Sequence, residues 1–231
     1  MHHQTHRRAK KLSVRTTALS AIAAAALATL AGPASAATQV SKSGEQLIVA
    51  TAAGKANDLF IRRSSNETFI LFRDRGDTVT PGPGCQAAGT EVQCSAIGAN
   101  RPKQIVVNAG DADDRVVANG ALRSTLNGQA GNDTLTAGFA GADRNTLTGG
   151  TGDDRLFAGS GDILRGNAGN DLLVGSIFSD FLNGGAGNDD LRGGDGNDEL
   201  RGDAGNDDLD GGNGNDDLCI GETEINCEAD V

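Results

Sequence analysis

Aspartate recurs every nine residues in the C-terminal half of this 231-residue chain, each time after a glycine-rich stretch. The six blocks from Gly166 to Cys219 read GNAGNDLLV, GSIFSDFLN, GGAGNDDLR, GGDGNDELR, GDAGNDDLD and GGNGNDDLC. Every block has Asp at its sixth place and Leu at its eighth place. Carboxylate oxygens are hard ligands that suit Ca²⁺ and leave soft metals unsatisfied. The regularly spaced carboxylates are therefore candidate ligands for a row of hard metal ions.

Composition excludes several other kinds of chemistry. All three histidines lie in residues 1–36, and residues 37–231 contain no His, Trp or Tyr. This rules out a Ser-His-Asp triad and a His-ligated zinc site for that part of the chain. Residues 37–108 hold 8 basic and 6 acidic side chains, whereas residues 109–231 hold 7 basic and 25 acidic ones. Such an acidic segment repels nucleic acid and anionic membranes and attracts multivalent cations. It therefore predicts cations as partners, no nucleic acid and no membrane insertion.

Residues 1–36 have the pattern of a secretory signal peptide. Five basic residues come first, an Ala- and Leu-rich run from Thr16 to Leu30 follows, and Ala34-Ser35-Ala36 is an A-x-A cleavage site. The alternative is a buried or transmembrane helix, but the run is short for a membrane span. Arg7-Arg8 suggests twin-arginine export, yet the apolar residues that usually follow such a pair are missing, which favours the general secretory route. We therefore predict a secreted, extracellular protein.

Four cysteines remain after the leader: Cys85, Cys94, Cys219 and Cys227. An even number in an exported chain predicts two disulfides, with four buried thiols as the alternative. Three connectivities are possible. Local pairing of Cys85 with Cys94 and of Cys219 with Cys227 needs the least rearrangement of the chain.

The repeat also predicts the local structure that positions each aspartate. Glycines allow the backbone to turn through positive φ, and three extended residues follow in which only the central one can point inward. Each block is therefore a turn and a very short strand. The predicted inward residues are Val116, Leu126, Leu135, Leu147, Leu156, Leu164, Leu173, Leu182, Leu191, Leu200, Leu209 and Leu218.

The blocks resemble the nonapeptide G-G-x-G-x-D-x-U-x of RTX (hemolysin-type) calcium-binding proteins. The block from Gly149 to Phe157 matches every defined place, as do the blocks that begin at Gly184, Gly193 and Gly211. The resemblance covers residues 109–219. It implies an all-β fold, a right-handed parallel β-roll or β-solenoid with two blocks per coil, and Ca²⁺ held between turns one coil apart by the sixth-place Asp and backbone carbonyls. So small an apolar core per coil leaves a stability deficit that calcium would fill.

The two-block coil divides the predicted metal ligands into two stacks. One stack is unbroken: Asp114, Asp133, Asp154, Asp171, Asp189 and Asp207. The other is damaged near its start, where one block lacks Asp and the next carries three extra residues around Asp143, and it retains Asp162, Asp180, Asp198 and Asp216. Phe178 replaces a turn glycine before Asp180, which should distort that turn. We therefore expect one edge fully metallated and the other mainly toward the C-terminus.

Both ends of the roll need caps, because end coils leave strand edges unpaired. Residues 37–108 are predicted to form an N-terminal β segment of capping coils with one disulfide. Strands are expected at 46–50, 59–63, 68–73 and 104–108, and residues 53–61 form a degenerate copy of the nonapeptide. Residues 220–231 are predicted to form a C-terminal cap, clamped by the second disulfide.

The favoured function is that of a secreted, non-enzymatic calcium-binding protein that folds in a calcium-dependent way outside the cell. The alternative is a calcium-dependent extracellular polysaccharide-active enzyme, or an adhesin, on a β-solenoid. No sequence feature identifies a protein or polysaccharide partner.

Overall fold

The computed structural model describes residues 37–51, 53–98, 101–120, 122–138, 144–214 and 217–227. The predicted signal peptide (1–36) and Asp216 lie outside these ranges. All regular elements within them are β-strands. In this part of the chain no helix has the length and apolar character needed to span a membrane.

The described residues form seven strands in the N-terminal segment and fourteen strands in the repeat region. The N-terminal ones are β1 (Thr38–Ser43), β2 (Gln46–Ala50), β3 (Asp58–Arg63), β4 (Phe69–Asp74), β5 (Val79–Pro81), β6 (Cys85–Ala88) and β7 (Glu91–Ser95). The strands of the repeat region are β8 (Gln104–Gly110), β9 (Arg115–Asn119), β10 (Arg123–Ala130), β11 (Thr134–Ala137), β12 (Thr146–Thr151), β13 (Arg155–Phe157), β14 (Ile163–Ala168), β15 (Leu172–Val174), β16 (Phe181–Ala186), β17 (Asp190–Asp195), β18 (Glu199–Ala204), β19 (Asp208–Asn213), β20 (Leu218–Ile220) and β21 (Thr223–Ile225).

These strands build two sheets that the chain visits in alternation. The first sheet has the order β5-β1-β2-β8-β10-β12-β14-β16-β18-β20, and the second has the order β6-β7-β4-β3-β9-β11-β13-β15-β17-β19-β21. From β8 and β9 onward every pairing is parallel, so one strand in each sheet makes one coil. The expected all-β parallel β-solenoid with two blocks per coil is confirmed.

Between the sheets the inward residues form two apolar columns. Leu126, Leu147 and Leu164 are in register in the first sheet, as are Leu135, Leu156 and Leu173 in the second. Eleven of the twelve predicted inward residues are fully buried. Because only one residue of each three-residue strand points inward, a coil contributes about two such side chains to the core.

The twelfth inward prediction, Leu218, is wrong by one residue. Cys219 pairs with Leu200 and is buried, whereas Leu218 pairs with the outward-facing Glu199. The physical reason is an extra residue in the last turn, where Asp217 stands 19 positions after Asp198. The Cys219–Cys227 disulfide then ties this coil to the segment after β21.

The N-terminal segment closes the other end of the solenoid. Strands β2 and β3 pair in parallel with β8 and β9, so both sheets continue into this segment. The strands predicted there are confirmed as β2, β3, β4 and β8, whereas β1, β5, β6 and β7 were not predicted. Most of the added strands pair antiparallel, as in β3–β4–β7–β6, instead of forming wide coils. The Cys85–Cys94 disulfide joins β6 to β7, which confirms the local pairing.

The N-terminal segment also has the larger apolar core. Phe72, Ile70 and Ile61 are buried from strands that pair across the second sheet, and Leu47 and Val49 face them from the first. Aromatic and branched side chains of this size bury more apolar area per residue than the single Leu of a repeat strand. Hydrophobic packing therefore stabilises this end of the molecule.

Candidate metal-binding ladders

The unbroken stack of aspartates forms a continuous hydrogen-bonded ladder along one edge, which we call ladder one. Its members are Asp114, Asp133, Asp154, Asp171, Asp189 and Asp207. The backbone N–H of each member donates to Oδ1 of the next, with N···O distances between 2.7 and 2.9 Å. The N–H of Asn57 donates to Asp114 Oδ1 at the start, and Asp207 donates to Glu222 Oε2 at the end. The hydrogen bond to Oδ1 therefore orients each sixth-place carboxylate and leaves its Oδ2 for another partner.

The other carboxylate oxygen is buried and has no hydrogen-bond partner. Within the described residues this holds for Oδ2 of all six members of ladder one, and each aspartate is at most 3% exposed. A buried carboxylate oxygen without a donor is costly, because it has lost its water and gained nothing in exchange. Seven such oxygens, counting Asp198 of the opposite edge, point to a positive group that belongs beside them.

In five of the six ladder-one blocks, those from Asp133 to Asp207, glycine at the first place leaves room next to that oxygen. A Cβ on Gly149 would collide with Asp154 Oδ2. A Cβ on Gly166 would meet Asp171 Oδ2 and would lie 2.6 Å from the carbonyl oxygen of Gly184 on the next coil. A carboxylate oxygen and a carbonyl oxygen thus border the same space, and both are ligands that Ca²⁺ accepts at 2.3–2.6 Å. Within the described ranges no three His, Cys, Asp or Glu side chains cluster as a metal site; each turn offers one carboxylate beside backbone oxygens.

Burial raises the pKa of several of these carboxyl groups above 3.8. The pKa of Asp133 and of Asp171 rises to about 6, and that of Asp154 rises to about 7. Desolvation is the main cause, backbone N–H donors oppose it, and charged aspartates on adjacent coils add to it. The same direction holds for Asp114, Asp189 and Asp198. Without a cation, the fold therefore disfavours the ionised state that these groups adopt at neutral pH.

The second stack forms ladder two, along the opposite edge. Its members are Ser124, Asn145, Asp162, Asp180, Asp198 and Asp217. Ser124 N–H donates to Asn145 Oδ1 at 2.9 Å, Asn145 N–H donates to Asp162 Oδ1 at 2.8 Å, and the same pattern continues to Asp217. The first two places hold neutral side chains, so ladder two begins without carboxylates.

Asp162 and Asp180 differ from the other aspartates because both of their oxygens accept hydrogen bonds. Gly159 N–H donates to Asp162 Oδ2 at 2.9 Å, and the Asn145 side-chain amide donates to both oxygens of Asp162. Ser176 donates to Asp180 Oδ2 through its N–H at 2.7 Å and its hydroxyl at 3.0 Å. The turn around Asp180 is altered, as the replacement of glycine by Phe178 predicts.

A further ladder runs along the exposed side of the ladder-one turns, through the fifth place of each block. Asn132 N–H donates to Asp113 Oδ1, and Asp153 N–H donates to Asn132 Oδ1, at 2.7 and 2.8 Å. Asn170, Asn188 and Asn206 continue the series. Here each N–H donates to the preceding coil, whereas in ladder one it donates to the following coil. Adjacent coils are therefore joined by side chains in both directions.

The structure places nine of the ten predicted metal ligands at ladder positions: Asp114, Asp133, Asp154, Asp162, Asp171, Asp180, Asp189, Asp198 and Asp207. The tenth, Asp216, lies outside the described residues, and its neighbour Asp217 accepts the hydrogen bond from Asp198. Sequence reasoning missed Asn57, Ser124, Asn145 and Glu222 as ladder members, and it missed the fifth-place ladder. The recurrence of Asn or Asp at the fifth place was the available signal for that ladder.

Residues 123–218 match the family model of the RTX calcium-binding nonapeptide repeat in four copies, at 123–140, 139–162, 165–200 and 183–218. No curated protein and no solved structure matches the chain.

Proposed function

Residues 123–218 are RTX calcium-binding nonapeptide repeats, and from this premise we propose that the protein is a secreted, non-enzymatic calcium-binding protein whose repeat region folds in a calcium-dependent way outside the cell. The observation that carries the proposal is the row of buried, unpartnered Oδ2 atoms along ladder one. Those of Asp133, Asp154, Asp171, Asp189 and Asp207 each lie where a Cβ on the first-place glycine of the same block would collide with them. Asp114, Asp133, Asp154, Asp171, Asp189 and Asp207 would hold the ions of this edge, with Asp198 on the other.

The proposed role of calcium is to make folding of the repeats favourable. A coil buries few apolar side chains, and its carboxylates are ionised at neutral pH against the preference of the fold. A cation that binds only the folded turns stabilises them in proportion to its concentration over its Kd. Extracellular calcium modules bind with Kd values of about 10⁻⁴–10⁻³ M, well matched to calcium outside cells.

Secretion and the non-enzymatic role are supported by separate observations. The pattern of residues 1–36 is that of a cleaved leader, and the two disulfides suit an oxidising compartment. Residues 37–231 contain no His, and the buried ladder aspartates already serve the turns. N-terminal sequencing of protein from the medium should begin at Ala37, and a mature protein that retains residues 1–36 would contradict the proposed export.

Circular dichroism of residues 37–231 with and without calcium tests the main proposal. We expect the β signal to be much weaker in EGTA and to return on titration with Ca²⁺. Mg²⁺ is the control, since it needs near-ideal octahedral geometry and gives up water reluctantly. A repeat region equally structured in EGTA and in calcium would overturn the proposal.

A further inference from the structure

Asp162 and Asp180 belong to ladder two, as does Asp198, whose Oδ2 has no hydrogen-bond partner. In Asp162 and Asp180, by contrast, both carboxylate oxygens accept hydrogen bonds from protein donors. We propose that the ladder-two turns at these residues are calcium-free, and that Asn145, Ser160 and Ser176 do there what the cation does elsewhere. The inference rests on the proposed calcium binding at the remaining ladder positions. It assigns a different role to two aspartates that the repeat pattern alone marks as ligands.

The donors around Asp162 come from two adjacent coils. Its Oδ2 accepts hydrogen bonds from the backbone N–H groups of Gly159 and Ser160, at 2.9 and 3.2 Å. Its Oδ1 accepts from the Ser160 hydroxyl at 3.0 Å and from Asn145 N–H at 2.8 Å. The Asn145 amide bridges both oxygens at 3.0 and 3.2 Å. All three side chains are at most 2% exposed, so these contacts exclude water.

Asp180 repeats this arrangement one coil further on. Ser176 stands where the repeat has its second glycine, and its N–H and hydroxyl both donate to Asp180 Oδ2. The hydroxyl of Ser176 also accepts a hydrogen bond from Phe178 N–H at 3.3 Å, which holds the rebuilt turn together. In two consecutive coils, therefore, backbone N–H groups and polar side chains donate to the aspartate in place of a bound cation.

Donor hydrogens and a cation compete for the same oxygen. N–H and O–H groups that point at a carboxylate bring their positive ends to the place where Ca²⁺ would bind, so the ion would have to displace them. Asp198, the next member of ladder two, shows the contrast: its Oδ2 is buried without a hydrogen-bond partner. The change from protein donors to an open oxygen thus falls between Asp180 and Asp198.

This division predicts which part of the molecule stays ordered when calcium is scarce. The edge from Ser124 to Asp180 needs no ion, and it adjoins an N-terminal segment that contributes large apolar side chains to the core and has a disulfide. Both edges depend on calcium only in the coils after Asp180. Loss of calcium should therefore unfold the solenoid from its C-terminal end.

Calcium stoichiometry tests the proposal in matched variants of residues 37–231. Asp162→Asn and Asp154→Asn change the same chemical group on opposite edges of neighbouring coils. By native mass spectrometry in calcium, Asp154→Asn should bind at least one ion fewer than the unsubstituted protein, whereas Asp162→Asn should bind the same number. In urea titrations Asp162→Asn should be destabilised equally in EGTA and in calcium. Loss of an ion from Asp162→Asn, as from Asp154→Asn, would overturn the proposal.

A gain-of-site variant covers the case in which Asp162→Asn fails to fold. Ser176→Gly combined with Phe178→Gly removes the hydroxyl donor from Asp180 and restores the glycines at the second and fourth places, so that the turn can return to the conformation of the other blocks. This variant should bind one ion more than the unsubstituted protein, and an unchanged count would contradict the inference. If the unsubstituted protein binds no calcium at all, it is the proposed function that fails, and the comparison between variants distinguishes the two outcomes.

Discussion

Replacing Asp171 by Asn should change stability in opposite directions with and without calcium. Oδ1 of Asp171 accepts the N–H of Asp154 at 2.8 Å, and an Asn oxygen can keep this hydrogen bond. Oδ2 has no partner and is buried. The substitution therefore retains the ladder and removes only the unpartnered charge.

The pKa of Asp171 sets the scale of the effect in EGTA. Its rise from 3.8 to about 6, caused mainly by burial, corresponds to a penalty on the order of 3 kcal/mol against the charged form in the fold. The Asn amide that replaces Oδ2 is itself unsatisfied, at a cost of about 1–3 kcal/mol. The net expectation at neutral pH is a stabilisation of roughly 1 kcal/mol.

In calcium the sign reverses, because the variant loses a binding site. With a Kd of about 10⁻⁴ M and about 1 mM Ca²⁺, one site stabilises the fold by about 1.4 kcal/mol. Urea unfolding at pH 7.5 in EGTA and in 1 mM calcium measures both values. Asp208→Asn is the control, since it removes the same charge from an exposed position on the outer face of β19. Destabilisation of Asp171→Asn in EGTA would mean that Oδ2 has a structural partner and would refute the reasoning.

Three further predictions concern pH, the glycines and the C-terminal disulfide. Burial raises the folded-state pKa of Asp114, Asp133 and Asp171 to about 6 and that of Asp154 to about 7, so their protonated forms stabilise the calcium-free fold below about pH 4 and this contribution is lost as pH rises through 6 to 7. Thermal unfolding in EGTA at pH 4.5 and 7.5 should show the higher Tm at pH 4.5, and the reverse order would contradict the assignment. Gly149→Ala should abolish the adjacent calcium site, because its Cβ would displace Asp154 Oδ2, whereas Gly44→Ala meets no atom within 4 Å and should leave calcium binding unchanged; isothermal titration calorimetry compares them. Replacing Cys219 and Cys227 together by Ser should destabilise the last coil by about 2–3 kcal/mol, which hydrogen exchange would detect as earlier loss of protection in β18–β21 than in β8–β11.

The nine-residue period predicted most of the core, and the family resemblance that it carries predicted the fold. The period decides which residue of each short strand points inward, so the column from Val116 to Leu209 could be read directly from the spacing. It failed at Leu218 because one added residue in a turn reverses the faces of the strand that follows. Nothing in the sequence marks that added residue, since both Asp216 and Asp217 have the right side chain.

The N-terminal segment was harder to predict for a different reason. Strands β2, β3 and β4 are apolar and alternate, so their pattern is visible. Strands β5 and β6 are short and partly exposed. Each is held in a sheet by pairing with an edge strand, β5 with β1 and β6 with β7. Pairing of this kind depends on long-range contacts and leaves little trace in local sequence.

The sequence did not reveal that two members of ladder two are calcium-free, because both fit the repeat pattern. Asp162 and Asp180 occupy the sixth place, and the repeat alone identifies both as ligands. What distinguishes them is the donor set from Asn145, Ser160 and Ser176, which is assembled across coils. The repeat predicts where each carboxylate lies. Whether one of its oxygens is available to a metal ion depends on the hydrogen-bond donors around it.

The irregular spacing of the repeats supports a division of labour between the two edges. Consecutive members of ladder one are separated by 19, 21, 17, 18 and 18 residues, yet their hydrogen bonds stay within 0.2 Å of one another. The 21-residue interval includes the three extra residues around Asp143, and the 17-residue interval includes the shortened turn before Asp162; both lie on the side of ladder two. On the proposed calcium binding, ladder one keeps its geometry because the carboxylate and carbonyl oxygens must recur at the same separation at successive turns. Ladder two can lose or gain residues wherever amide and hydroxyl donors have replaced the ion, since those side chains reach over variable distances and a coordination shell does not.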